Sequence, residues 1–159
     1  MTTKTKPIPD GYHTATPYLI VKEAAKAIEF YKLVFGATEL MRMPGPGGKI
    51  MHAEIKIGDS PIMLADEFPE MDALSPQTIG GSPSFLLLYV ENVDAMVSQA
   101  IAAGAKLDRP IVNQFYGDRS GTLIDPFGHK WTIATHIEDV SSEEMQRRME
   151  AMAKPPASG

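Results

Sequence analysis

The most direct chemistry this chain offers lies in His52 and Glu54, two residues apart. On a strand, residues at i and i+2 share a face, so the imidazole and the carboxylate stand side by side. A carboxylate that orients a histidine makes it a general base. Arg119 is the third candidate. A guanidinium grips an anionic group through two parallel hydrogen bonds. Carried back through the 69-residue offset described below (119 − 69 = 50), Arg119 has the parity of 52 and 54. His52, Glu54 and Arg119 are therefore the candidate catalytic residues. The competing reading is a solvated or self-paired polar sheet face, with Asp118 holding Arg119. His13 falls in the entry arm, and His129 in a hairpin turn that suits a backbone hydrogen bond. His136 falls at a strand end, where a structural role is expected. A three-ligand metal site built from His52, Glu54 and a second histidine is the remaining alternative. No phosphate-cradling glycine loop and no Gly-x-Ser-x-Gly elbow occurs.

These residues need strands to hold them. Residues 15–21 read as a strand, with Pro17 near its start or on an edge. Residues 23–35 read as a helix: Ala24, Ala27, Ile28, Tyr31, Val34 and Phe35 form one apolar stripe, and Gly36 stops it. A strand follows at 37–43, then a Pro/Gly turn. Residues 50–57 alternate, with Met51, Ala53, Ile55 and Ile57 on one face and His52, Glu54 and Lys56 on the other. After Gly58-Asp59 comes a strand at 61–65. Residues 66–82 read as a long Pro/Gly/Ser link, with Asp66-Glu67 in solvent or at the cleft rim. A strand at 84–90 precedes a helix at 93–103, capped by Asn92, burying Val93, Val97, Ala100 and Ile101, and stopped by Gly104. Strands at 105–112, 119–124 and 130–136 complete the body. In the tail, Ser141 and Glu144 have capping-box spacing, and Met145, Met149 and Met152 form a stripe expected to pack on the chain itself or on a sister subunit.

Composition narrows the function. The 159 residues include 15 Lys+Arg against 20 Asp+Glu, a net charge of −5. Nucleic-acid binding normally needs a basic surface, so no nucleic-acid partner is expected. The chain has no cysteine, which excludes disulfides, thiolate nucleophiles and Cys-based zinc sites. No apolar run approaches the roughly 20 residues that span a bilayer, so no membrane partner is expected, and the polar N-terminus does not read as a secretory signal. A cytoplasmic protein is expected.

The element order strand–helix–strand–strand–strand occurs twice. Leu19-Ile20-Val21 lies 69 residues before Leu88-Tyr89-Val90, and Ile62-Met63-Leu64-Ala65 lies 69 before Trp131-Thr132-Ile133-Ala134 (88 − 19 and 131 − 62). The fold class expected is α+β. Two βαβββ modules, about 12–66 and 83–140, form a curved, mostly antiparallel sheet cleft with helices on its convex side. They make one domain over 12–140, behind a loose arm at 1–11 and before a C-terminal helix and tail at 141–159. A ligand is expected in the inter-module cleft.

Thr16-Pro17-Tyr18-Leu19, Ala27-Ile28-Glu29-Phe30-Tyr31, Val34-Phe35-Gly36-Ala37, His52-Ala53-Glu54-Ile55 and Met63-Leu64-Ala65-Asp66-Glu67 mark the first module. Tyr116-Gly117-Asp118-Arg119 and Asp125-Pro126-Phe127-Gly128-His129-Lys130-Trp131 mark the second. In this order and spacing the chain resembles the vicinal oxygen chelate superfamily of glyoxalase, bleomycin-resistance and extradiol dioxygenase proteins, in its PhnB-like branch. In metal-using members four His or Glu ligands come from the first and last strands of each module. The matching positions here are Thr16, Met63, Phe85 and Thr132, which lack suitable donors for a catalytic cation. The resemblance thus implies no metal and no cofactor. With Tyr18 and Leu87, these four residues are the candidate ligand-binding set. The function it implies is binding of a small organic molecule, of the sequestration or resistance type, by a homodimer. The alternative is a metal-independent or displaced-metal isomerase or lyase using His52, Glu54 and Arg119.

Overall fold

The computed structural model describes residues 4–157. The elements follow in the order β1 (Tyr18–Val21), α1 (Ala24–Phe35), β2 (Thr38–Pro44), β3 (Ile50–Ile57), β4 (Ser60–Asp66), α2 (Pro76–Ile79), β5 (Phe85–Tyr89), α3 (Val93–Ala102), β6 (Lys106–Asn113), β7 (Asp118–Ile124), β8 (Lys130–His136) and α4 (Ser142–Ala153). They form two four-stranded mixed sheets, ordered β1-β4-β3-β2 and β5-β8-β7-β6. In each, the first strand runs parallel to the last and the other pairings are antiparallel. The α+β architecture and the internal duplication are as expected.

The described residues divide into two compact units, one of 4–83 with 126–129, the other of 84–125 with 130–157. In the first, α1 buries Ala24, Ala27, Ile28, Tyr31, Val34 and Phe35 against the sheet residues Leu19, Val21, Ala53, Ile55 and Leu64. Gly36 ends the helix with φ +65°, a left-handed conformation that only glycine adopts without strain. The turn carrying Phe127 belongs to this unit. Its ring meets Phe30 and Tyr31 edge-on at 6.2 and 6.3 Å. In the second unit, Val93, Val97 and Ala100 of α3 are buried together with Leu123, Trp131 and Ile133. Ile101, expected in that stripe, is exposed.

The helices α1 and α3 each start on a side chain from the last strand of their own unit. The Ala24 N–H donates to Asp66 Oδ1 at 3.0 Å, and the Val93 N–H donates to Thr135 Oγ1 at 3.0 Å. Both acceptors and both donors are 69 residues apart (135 − 66 and 93 − 24), so the duplication extends to the helix caps. Asp66 was expected in solvent or at the cleft rim. It is instead buried, because Oδ2 also accepts the Ile50 N–H at 2.6 Å. The segment after it is ordered by local bonds and is no loose link. Phe68 bridges Ala73, Glu67 accepts the Ser75 N–H, and Ser75 caps α2.

The tail helix is capped by Ser141, whose Oγ accepts the Glu144 N–H. It buries no side chain. Arg148 fastens it, donating to the Phe115 carbonyl and to Glu138, while Met149 and Met152 remain exposed.

Removing the caps tests this duplication. Asp66→Ala strands two buried N–H groups and lowers stability by about 2–4 kcal/mol, whereas Thr135→Val strands one and costs about 1–2 kcal/mol. Thermal denaturation of the two variants measures both, and equal, negligible losses would contradict the assignment.

Candidate functional site

Strand pleating decides what each sheet shows on the face away from its helix. Buried Ala53, Ile55 and Leu64 face α1, so His52, Glu54 and Met63 occupy the opposite, open face. Two register shifts complete that face. Glu39 pairs with Ile55 but Met41 with Glu54, so Leu40 is an extra residue in β2. That bulge brings Met41 and Met43 over to the open face beside Glu54 and His52. Met43 pairs with His52 but Pro44 with Ile50, so Met51 is an extra residue in β3. The bulge reverses the expected parity: Ile50 is buried and Met51 is exposed.

On this face a chain of four side chains is hydrogen-bonded end to end. Tyr12 Oη donates to Glu54 Oε2 at 2.5 Å. Glu54 Oε1 lies 3.2 Å from His52 Nε2, and His52 Nδ1 lies 2.8 Å from Tyr18 Oη. Burial and the bond to Glu54 push the Tyr12 phenol up to about 12. Burial and the Glu54 charge also raise Tyr18. The Tyr12 bond, then His52, hold the Glu54 carboxyl below the usual range. Both phenols thus stay protonated at neutral pH. With Nε2–H turned to Glu54, Nδ1 accepts from Tyr18, so both imidazole nitrogens are engaged. Tyr18 is the member of this chain most open to solvent, at 48% of its surface. Tyr12 carried no signal in the sequence beyond being the aromatic where structure begins.

The second sheet repeats the construction. Leu107 pairs with Leu123 but Arg109 with Thr122, so Asp108 is an extra residue at the place matching Leu40. The pairings Arg109–Thr122, Thr122–Thr132 and Thr132–Leu87 set four side chains in a row across the open face. The matching row in the first sheet is Met41, Glu54, Met63 and Tyr18. Thr122 and Thr132 hydroxyls lie 2.9 Å apart. A cavity of about 290 Å³ opens here, lined chiefly by Leu87, Arg109, Tyr116, Ser120, Thr122 and Thr132. Phe85 is 45% exposed on the same face, with the cations of Arg109 and Lys130 each 5.3 Å from its ring centre. Arg109 was hidden because simple alternation puts it with Leu107. The readable signal was Pro110, a residue that marks bulges and edges inside strands.

Arg119 was expected on the open face and lies on the other. Its guanidinium binds both carboxylate oxygens of Asp94 at 2.8 Å and Asn113 at 3.0 Å, on the side of α3. The parity transfer through residue 50 did not count the extra residue at Met51. Asp118, the other expected partner of Arg119, is buried and takes Tyr89 Oη at 2.9 Å and His136 Nδ1 at 2.7 Å. His136 Nε2 meets Asp139, and the two carboxylates, Asp139 foremost, raise the imidazole. Tyr89 and His136 border a wide shallow groove, but their polar atoms are spent on Asp118 and Asp139. Gly117 (φ +104°) has no room for a side chain, since a Cβ there falls against the Glu138 carbonyl. His129 meets the Ile20 carbonyl at 2.9 Å, the backbone bond expected of it.

A model of the Glyoxalase/Bleomycin resistance protein/Dioxygenase superfamily matches residues 12–133. The chain belongs to that superfamily. An uncharacterized protein of Mycobacterium bovis is 40% identical over 137 residues, 84% of this chain and 90% of the relative. Among solved structures, the PhnB protein of Bacillus cereus is 17% identical with a TM-score of 0.60, over 77% of this chain and 99% of that one. The fosfomycin resistance protein FosX of Listeria monocytogenes, solved with Mn(II) and sulfate, is 18% identical with a TM-score of 0.60, over 86% and 97%. At these identities the likeness to the two structures is one of fold.

The superfamily's metal positions do not fit a cation here. Thr16 and Met63 in one unit and Phe85 and Thr132 in the other offer two neutral hydroxyls, one thioether and a hydrocarbon ring. Among the described residues, no group of three or more His, Asp or Glu side chains is arranged to hold a metal. No described helix is long and apolar enough to cross a membrane.

The depressed Glu54 carboxyl gives a signed pH dependence. Its stabilisation is complete above the ordinary value of 4.5 and is lost as pH falls through the lowered folded value. Thermal denaturation from pH 7 down to pH 3 therefore destabilises the wild type more steeply than Glu54→Gln. Parallel curves would contradict the Tyr12–Glu54–His52 linkage.

Proposed function

We propose that this protein is a metal-independent binder of a small organic molecule, held on the open face of the second sheet and sequestered rather than converted. The observation that carries this reading is the cavity whose floor is the Thr122–Thr132 hydroxyl pair and whose rim is Leu87 and Tyr116. Large apolar side chains exposed together on a sheet face mark a binding surface. Phe85, Leu87 and Tyr89 in one unit, and Tyr18, Met41 and Met43 in the other, are all exposed. Flexible methionines suit a surface that accepts ligands of varied shape. The protein acts in the cytoplasm as a homodimer, with a sedimentation mass twice the chain's 17.3 kDa.

A second reading is favoured by one observation, the Tyr12–Glu54–His52–Tyr18 chain. In it His52 and Glu54 perform metal-independent acid–base chemistry of the isomerase or lyase type. The proton then passes through the Tyr18 hydroxyl, because His52 Nδ1 already faces it. Arg119 takes part in neither version while Asp94 holds its guanidinium.

A panel of small aromatic and branched apolar molecules, screened by saturation-transfer NMR and titrated by calorimetry, separates the two. Sequestration predicts that Leu87→Asp weakens binding at least tenfold, that His52→Gln changes it less than twofold, and that bound molecules are recovered unaltered. Conversion of a bound molecule that is abolished by both His52→Gln and Tyr18→Phe, with binding intact, would establish the second reading instead.

A further inference from the structure

Five arginines occur in the chain, and four are neutralised by carboxylates. Arg42 binds Glu39, Arg119 binds Asp94, Arg147 binds Glu144, and Arg148 binds Glu138 and Glu144. Arg109 alone has no carboxylate partner among the described residues. Its neighbour Asp108 is occupied by Lys130 at 3.4 Å. The Arg109 guanidinium lies over the Phe85 ring and lines the cavity of the second unit.

The surroundings of Arg109 complete a recognition pattern. Thr122, directly opposite it in the sheet, is 4% exposed, and so is Ser120. Each threonine hydroxyl carries one proton, and the Thr122–Thr132 bond consumes only one of the two. One O–H is left to donate to an acceptor in the cavity. Gln114 Nε2 already donates to Ser120 Oγ at 3.1 Å, which leaves the Ser120 proton free to point elsewhere. Guanidinium and hydroxyl donors without a facing carboxylate call for an anionic acceptor, and a guanidinium matches a carboxylate in two-point geometry. Leu87, Tyr116 and the Phe85 ring supply the contact for an apolar body. The cavity of about 290 Å³ lies at the small end of ligand pockets, roughly 300–1,000 Å³.

We propose that Arg109 anchors the anionic group of a small organic carboxylate whose apolar body lies against Leu87, Phe85 and Tyr116. This deepens the binding function above and rests on it. The edge-strand bulge at Asp108 is the device that delivers the charge, as the bulge at Leu40 delivers an uncharged methionine in the first sheet. The acidity of the whole chain does not oppose it, since Arg109, Lys130 and Asp108 leave one net positive charge at the site.

Calorimetric titration with benzoate and its neutral isostere benzamide tests the proposal, using the full chain. Wild type binds benzoate at least tenfold tighter than benzamide. Arg109→Gln removes that preference, Arg109→Lys keeps part of it, and raising the salt reduces it. Because Arg109 is exposed, the melting temperature of Arg109→Gln stays at the wild-type value and certifies the fold. Equal binding of benzoate and benzamide overturns the anchor while leaving the binding function standing. Absence of binding by both overturns the two together. Inorganic phosphate that displaces benzoate at matching concentration overturns the requirement for an organic body.

Discussion

A strand shows alternate residues to alternate faces, and one extra residue reverses the count for everything beyond it. The candidate site of this protein depends on that constraint. An edge-strand bulge occurs at Leu40 and again at Asp108. Each turns a side chain that alternation assigns to the helix side onto the open face instead. The result is a row of four residues across each sheet, Met41–Glu54–Met63–Tyr18 and Arg109–Thr122–Thr132–Leu87. The backbone plan is the same and the chemistry differs. The first row joins a Tyr–Glu–His–Tyr hydrogen-bonded chain flanked by methionines. The second joins a cation, two hydroxyls and a leucine around a cavity. Neither row contains a set of donors that a divalent cation would choose.

The helices are tied to these sheets by a second repeated device. Asp66 and Thr135, at the ends of the last strands, accept the first N–H of α1 and α3. Asp66 does more, because it also takes the Ile50 N–H, beside the bulge at Met51. The start of the helix and the irregularity of the strand share one buried carboxylate in the first unit, whereas the second uses a hydroxyl that also donates to the Val90 carbonyl. Duplicated architecture therefore survives where the residue types have diverged, provided that an acceptor remains at the same place.

Regular elements were readable in the sequence because their signals are local. The α1 stripe, the glycine at Gly36, the Asn92 and Ser141 caps and the alternation of 52–57 each reflect the physics of a few neighbouring residues. The pairing of His52 with Glu54 was readable for the same reason. Bulges are not local in this sense, since they are defined by which residue of a partner strand is left over. Arg119 was accordingly assigned to the wrong face and Arg109 was passed over, although Pro110 beside it is a bulge signal. Asp66 looked like the start of a solvent-exposed link because nothing nearby reveals that two N–H groups converge on it. Tyr12 became part of the polar chain only through a contact 42 residues away.

On the proposed function, the open face of the second sheet receives an organic molecule without the help of a metal. Amide chemical-shift mapping of the labelled protein during titration with benzamide, repeated in the presence of EDTA, tests it most directly. The expected shifts concentrate at Leu87, Thr122 and Thr132 and are identical with and without the chelator. Shifts that disappear on adding EDTA, or that cluster away from this row, would contradict it.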